Sequence, residues 1–124
     1  MEKLKASLLP AYRARRLAEQ GGVCELCGDK PAVPCLDHCH KEGHVRGVLC
    51  RGCNAMLGKL ENNQVRNGLG NPAKWARFLS NIIPYLHRHA MGAVLHPTFK
   101  TADEKRLARN AKARKTRAAA RKEG

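Results

Sequence analysis

The chain has 124 residues and a formal net charge of +14, from 24 Lys or Arg against 10 Asp or Glu. A chain this basic is expected to bind a polyanion, with nucleic acid as the leading candidate. Its length allows one small domain with appendages, whose limited core a structural metal can supplement. No run approaches the roughly 18 apolar residues of a membrane span, which predicts a soluble protein.

Residues 1–20 are predicted to form a basic N-terminal helix. Five basic side chains stand here against Glu2 and Glu19, and apolar residues recur loosely at helical spacing. Pro10 either interrupts this helix or starts a turn of it. The basic face is either solvated, with some packing on the core, or in contact with nucleic acid.

Two CxxC pairs, Cys24-x-x-Cys27 and Cys50-x-x-Cys53, enclose the central part of the chain. Each pair can present two thiolates to one tetrahedral Zn²⁺ at about 2.3 Å. The separation between the pairs slightly exceeds the usual range for four-cysteine zinc sites. The two pairs therefore predict a zinc site. The extra length between them indicates that the intervening residues have a further role.

The six cysteines also allow a different interpretation, a secreted scaffold with three disulfides. The N-terminus lacks the apolar run of a signal peptide, so the paired spacing favours zinc in a reducing compartment. Cys35 and Cys39 lie outside the two pairs. They are either a small buried strand residue and a loop thiol, or replacements for one zinc ligand.

Between the pairs lies the run Asp37-His38-Cys39-His40. Asp37 is suited to hold Mg²⁺ through oxygen, because this cation prefers hard ligands. His38, with an ordinary pKa of about 6.5, is suited to take a proton from water. Asn54 directly follows the last cysteine and offers an amide oxygen as a second ligand. The run therefore predicts a hydrolytic site beside the zinc.

Two short strands and a helix are predicted around this run, which makes an α+β fold with a small zinc-bound ββα-metal core and flanking helices. The predicted ranges are 32–36 for the first strand, 39–44 for the turn, 45–49 for the second strand and 50–60 for the helix. Pro34 restricts the first strand to an edge or an irregular position, because it cannot donate to a ladder. Gly43 supplies backbone freedom in the turn.

A second helix is predicted after a loop at residues 61–71, which is rich in Asn and Gly. Pro72 suits its first position, and apolar residues from Trp75 to Leu86 form one continuous stripe. Pro84 should kink this helix without ending it. The stripe either packs over the core or forms a dimer surface.

After residue 90 we expect a linker and then a basic tail, in which ten Lys or Arg stand against three acidic residues from Lys100 onwards. Alanine-rich spacing favours helix, but almost no apolar face is available for burial, so we expect disorder until phosphates bind. Such a tail adds salt-sensitive affinity for nucleic acid. The candidate contacts are Lys112, Arg114, Lys115 and Arg117. A solvated charge run without a specific role is the alternative.

The central stretch resembles the phage recombination endonuclease VII family, a branch of the HNH or ββα-metal (His-Me finger) nucleases. The matching residues are the two CxxC pairs, Asp37-His38-x-His40, Val45-Arg46-Gly47-Val48-Leu49-Cys50, and Asn54 with Gly58. The resemblance covers roughly residues 20–90. It implies a DNA endonuclease in which Asp37 and Asn54 bind one Mg²⁺ or Mn²⁺, His38 activates water and His40 assists at the phosphate. Cys39 departs from the pattern, where a polar or acidic residue is expected.

The resemblance further implies branched DNA, such as a Holliday junction, as substrate, a homodimer through residues 72–90, and a cytoplasmic location, in the host if the protein is phage-encoded. Arg46 either clamps the scissile phosphate or tracks the DNA backbone. His44 either joins the site or is an exposed turn residue, and the remaining histidines are expected at the surface. The predicted segments are 1–20 (basic helix), 21–62 (nuclease core), 63–90 (packing or dimerisation) and 91–124 (linker and tail).

Three other functions remain open at this stage. A sequence-directed or nicking HNH endonuclease of the homing type would usually carry an added recognition domain, which is not visible here. A non-catalytic zinc-ribbon DNA-binding protein would need the cysteines and the tail, but it leaves Asp37, His38 and Asn54 unexplained. A structural protein that neutralises packaged nucleic acid would bind tightly without cleavage.

Overall fold

The computed structural model describes residues 2–92 and 94–123. In this part of the chain, one two-stranded antiparallel sheet and four α-helices make the α+β fold that the sequence predicts. The elements are a short 3-10 helix Ala6–Leu8, α1 Leu9–Glu19, β1 Pro34–His38, β2 Val45–Cys50, α2 Arg51–Gln64, α3 Pro72–Arg88 and α4 Ala102–Glu123. None of the helices among these residues has the length and apolar character needed to cross a membrane.

The chain divides into two compact units, residues 1–80 and residues 81–124. In the first unit, α1 and α2 both contact the sheet. Its core is small: Cys24, Val48 and Leu49 are buried, together with the carboxylate-bearing Asp37. So few buried apolar side chains fit a domain that a metal site supplements.

The pairing of β1 with β2 is irregular at Asp37. The paired residues on either side of it are Leu36 with Val48 and His38 with Val45. Asp37 therefore faces two residues of β2, Arg46 and Gly47, as in a β-bulge. Bulges re-aim side chains and occur often beside active sites. This one brings the Asp37 carboxylate and the Arg46 guanidinium into contact.

The side-chain amide of Gln20, just after α1, takes the place of a third strand beside β2. Its Nε2 donates to the carbonyl oxygens of Val48 at 2.9 Å and Val23 at 3.0 Å, and its Oε1 accepts from the N–H of Val48 at 2.8 Å. Buried peptide groups require such partners. Gln20 therefore fixes the end of α1 against β2, which carries Arg46.

Several boundaries differ from the predicted ones: α1 covers only Leu9–Glu19 of the helix predicted over 1–20, β1 ends at His38, and β2 ends at Cys50. β1 begins at Pro34, because proline is tolerated as the first residue of a strand and not within it. α2 continues to Gln64, so that residues 61–64, predicted as loop, are helical. In the last turns of this longer helix, Glu61 bonds to Arg46.

The two C-terminal helices present most of their side chains to solvent. α3 runs without interruption through Pro84, as predicted, and its apolar stripe is largely exposed, with Ile83 at 69% and Leu86 at 60%. The tail, for which we expect disorder, is helical in the structure as α4. Alanine, lysine and arginine are strong helix formers, and acidic residues in its first turn complement the helix dipole.

Candidate functional site

The four cysteines of the two CxxC pairs form one cluster, with their Sγ atoms all within 4.8 Å of one another. The Sγ atoms of Cys27 and Cys50 are 3.6 Å apart. Four thiolates around a tetrahedral Zn²⁺ lie about 3.8 Å from each other, given Zn–S bonds of about 2.3 Å. Donor type and spacing therefore fit zinc, as the sequence predicts.

The thiols of this cluster differ in acidity. Burial raises the pKa of Cys24, but backbone hydrogen bonds from Cys27, Cys50 and Leu26 outweigh burial and lower this pKa to about 6. Burial and hydrogen bonds to neighbouring sulfurs raise the pKa of Cys50 to about 12. The hydrogen bond to Cys27 is the main cause that raises the pKa of Cys53 to about 11. A cation is thus needed for all the sulfurs to ionise together.

A second cluster joins β1, β2 and α2 through one guanidinium. Arg46 donates from Nε to Asp37 Oδ2 at 2.6 Å and from Nη2 to Asp37 Oδ1 at 3.2 Å. It also donates from Nη1 and Nη2 to the two carboxylate oxygens of Glu61, at 3.0 and 2.7 Å. The Asp37 side chain is only 8% exposed, against 29% for Arg46 and 33% for Glu61.

Ion pairing within this cluster shifts the ionisation of Arg46 and of Glu61. Hydrogen bonds to Glu61, and then to Asp37, raise the pKa of Arg46. The Arg46 guanidinium in turn lowers the pKa of Glu61. With both carboxylates ionised, one negative charge remains uncompensated, which favours binding of a cation.

His38 ends β1 directly after the buried Asp37, and its side chain is exposed. Its ring centroid lies 4.5 Å from that of His40, in the turn that follows. This turn is closed by a hydrogen bond from the Gly43 N–H to the Cys39 carbonyl, and Gly43 has the positive φ of 82° that glycine tolerates. The structure thus places two exposed imidazoles next to each other, at the end of the strand that carries the buried Asp37.

Asn54 is half-buried in the first turn of α2. It precedes Glu61 by seven residues, so both lie on the same face of the helix, two turns apart. Leu57, between them on this face, lines a cavity of about 280 Å³ together with Asp37 and Arg46. The face of α2 that carries Asn54 is therefore the face towards the sheet.

Glu61 is the site residue that the sequence analysis missed. The spacing from Asn54 to Glu61 was a usable signal, because it places the carboxylate on the helix face already assigned to the site. Glu61 was not recognised because residues 61–71 were predicted to form a loop and not the end of the helix. Arg46 is engaged by two carboxylates in the structure, and its contact with a DNA phosphate stays a prediction.

The other candidate residues have simpler surroundings. Cys35 pairs with Leu49 within the sheet, and the Cys39 sulfur accepts a hydrogen bond from the Glu42 N–H. Neither belongs to the cysteine cluster found among the described residues. His44 is half-buried, with its ring 3.6 Å from the Glu42 carboxylate. The four predicted DNA contacts of the tail, Lys112, Arg114, Lys115 and Arg117, are exposed on α4.

The fold and the site together define a small, basic α+β protein, with a cysteine cluster positioned for zinc and a carboxylate–imidazole pair on the neighbouring strand. The family model for recombination endonuclease VII matches residues 3–88. The chain therefore belongs to the recombination endonuclease VII family, as the resemblance indicates. It is a nuclease of the DNA endonuclease class, with DNA as its substrate.

Proposed function

We propose that this protein is a metal-dependent endonuclease that resolves branched DNA with an HNH-type ββα site. The observation that carries the proposal is the buried carboxylate of Asp37, followed at once by the exposed imidazole of His38. A domain with so small a core gains little stability from a buried ionised group. A functional role therefore explains the burial of the Asp37 carboxylate better than a structural role does.

The donor set around Asp37 suits Mg²⁺ or Mn²⁺. These cations are commonly held by one or two protein oxygens, with water and substrate phosphates completing the shell. The Asp37 carboxylate has about four lone-pair positions, of which Arg46 takes two. We assign Asp37 and Asn54 as the protein ligands. When bound, the cation would stabilise negative charge on the phosphate and on the leaving oxygen.

The residues then have distinct roles in hydrolysis. His38 accepts a proton from water, and the water oxygen attacks phosphorus in line with the 3′ oxygen. The bond between phosphorus and the 3′ oxygen breaks, and this oxygen takes up a proton. His40, whose ring lies beside that of His38, assists at the phosphate. The products carry a 5′ phosphate and a 3′ hydroxyl.

We further propose a homodimer through α3, within residues 72–90. Two strands of a junction must be cut, which requires two sites. The apolar side chains of α3 at Phe78, Leu79, Ile83 and Leu86 are each more than 40% exposed, which is consistent with a surface that a second copy covers. In this assignment the core of residues 21–62 and the dimerisation segment of residues 63–90 lie between two basic segments, residues 1–20 and 91–124.

Cleavage of a labelled four-way junction, compared with a linear duplex of the same sequence, tests the proposed function. With Mg²⁺ we expect paired, symmetrical cuts near the branch and a dimeric mass by light scattering. Cutting of both substrates at equal rates would indicate a sequence-directed or general nuclease instead. Tight binding without cleavage in Mg²⁺ or Mn²⁺ would contradict the proposal and favour a zinc-ribbon binding or packaging protein.

The basic helix α4 is proposed to bind the DNA backbone. Replacing Lys112, Arg114, Lys115 and Arg117 with glutamine should weaken binding to junction and duplex alike. Because each phosphate contact contributes about 0.9 to the slope of log K against log salt, the slope should fall by up to about 3.6. Fluorescence anisotropy at several salt concentrations measures this slope.

The matched control for this variant replaces Ala108, Ala111, Ala113 and Ala118 with glutamine, which adds the same side chain at exposed positions of α4 without removing charge. Its salt slope should equal that of the original protein. An unchanged slope in the charge-removal variant would assign α4 to the solvated, non-binding alternative.

A further inference from the structure

We propose that Glu61 is a positioning residue for the cation site, acting through Arg46 on the Asp37 carboxylate. The inference rests on the proposed function, because it concerns the cation that Asp37 binds. Glu61 lies on α2, Arg46 on β2 and Asp37 on β1. Each of the three elements of the ββα core therefore contributes one side chain to this cluster.

The geometry gives each carboxylate its own edge of the guanidinium. Nε and Nη2 of Arg46 face Asp37, whereas Nη1 and Nη2 face Glu61, with all four donor–acceptor distances between 2.6 and 3.2 Å. A guanidinium is planar, and its donors form a rigid fork. Fixing one edge on Glu61 therefore fixes the orientation of the other edge, and with it the Asp37 carboxylate.

The charges of the cluster give Glu61 a second effect. Asp37 and Arg46 alone make a neutral pair, which attracts a divalent cation weakly. Glu61 restores one net negative charge and shares the Arg46 guanidinium with Asp37. Without Glu61, Arg46 has Asp37 as its only carboxylate partner in the cluster and competes with the cation for it. Glu61 thus supports cation binding without contacting the cation.

Glu61→Gln tests the proposal, because it keeps the shape of the side chain and removes its charge. Residues that orient metal ligands typically change metal affinity by about 10–100-fold when replaced. We expect the dissociation constant for Mn²⁺ to rise by about tenfold or more. The measurement is titration of zinc-loaded protein with Mn²⁺ in the absence of DNA, followed by electron paramagnetic resonance of free Mn²⁺.

Glu104→Gln is the matched control, because it removes the same charge from an exposed side chain of α4, outside the cluster. Its Mn²⁺ affinity should match that of the original protein. Arg46→Lys is the second variant, since a lysine cannot bridge both carboxylates in the same plane. If Glu61 acts through Arg46, adding Glu61→Gln to Arg46→Lys should cost much less affinity than it costs alone. Zinc content and thermal melting are measured on every variant.

An unchanged Mn²⁺ affinity in Glu61→Gln would overturn the proposal and leave Glu61 as a surface ion-pair partner. Complete loss of Mn²⁺ binding, equal to that of Asp37→Asn, would also overturn it, because Glu61 would then be a ligand. Additive losses in the double variant would exclude action through Arg46. Failure of the proposed function is a different result, in which the original protein neither binds Mn²⁺ at this site nor cuts DNA.

Discussion

Replacing His38 with alanine is expected to slow the cleavage of branched DNA by a factor of about 10²–10⁴, the usual contribution of a general acid or base. His38 is exposed at the end of β1, outside the buried core, so its removal should not unfold the protein. The effect should therefore fall on the chemical step. Single-turnover cleavage of a labelled four-way junction in Mg²⁺ measures it directly.

Two comparisons separate loss of the base from indirect effects. His96→Ala changes an exposed histidine outside both the nuclease core and α3, and it should cut at the original rate. DNA affinity and zinc content should be the same in both variants and in the original protein. Normal cleavage by His38→Ala would show that another group takes the proton from water, and His40, 4.5 Å away between ring centroids, would be the next candidate.

Removal of zinc is expected to unfold the first unit. A structural zinc site contributes about 10–16 kcal/mol at neutral pH, which equals or exceeds most of the range of about 5–15 kcal/mol for the total stability of a typical domain. The apolar core offers little to replace it, because its buried residues are Cys24, Val48 and Leu49. Cys24 is itself a member of the cluster. A strong chelator, or Cys50→Ser, should thus abolish the dispersion of amide resonances from β1, β2 and α2.

Cys35→Ser provides the control for the zinc experiment. Cys35 lies on β1 but outside the cluster, so this variant should retain one zinc per chain and the original spectrum. Stoichiometry is measured by release of zinc to a colorimetric chelator. A chelated protein that keeps its amide dispersion would contradict the structural role of the metal, and zinc loss in Cys35→Ser would restore the alternative ligand set.

Much of the zinc site was predictable because its determinants are local. A CxxC pair presents two sulfurs to one metal through a short turn, so the spacing alone indicates the ligands. The order of two strands and a helix was likewise predictable, because β-branched residues, glycine and proline mark these short elements. The boundaries of β1 and α2 were less accurate, since they depend on which side chains find partners across the fold.

The carboxylate cluster shows the limit of this reasoning. Asp37 and Arg46 were both singled out from the sequence, but their contact depends on a bulge in the pairing of β1 with β2, which no local pattern specifies. Glu61 joins them because α2 extends beyond its predicted end. The residue type alone allows Arg46 to bind either a phosphate or a carboxylate. The tertiary structure places the carboxylates of Asp37 and Glu61 in contact with it.

The sequence by itself determined which residues are the candidates: four cysteines, which the structure brings together in a cluster that fits zinc, and, as predictions, a carboxylate and an imidazole for hydrolysis and a basic tail for phosphates. These assignments follow from residue types and short spacings, which are the same in the unfolded chain and the folded one. Only the tertiary structure decided that Gln20 completes the edge of β2 and that Arg46 links Asp37 to Glu61. Such contacts join residues far apart in the chain, and they form only once burial of the shared core has fixed the elements against each other.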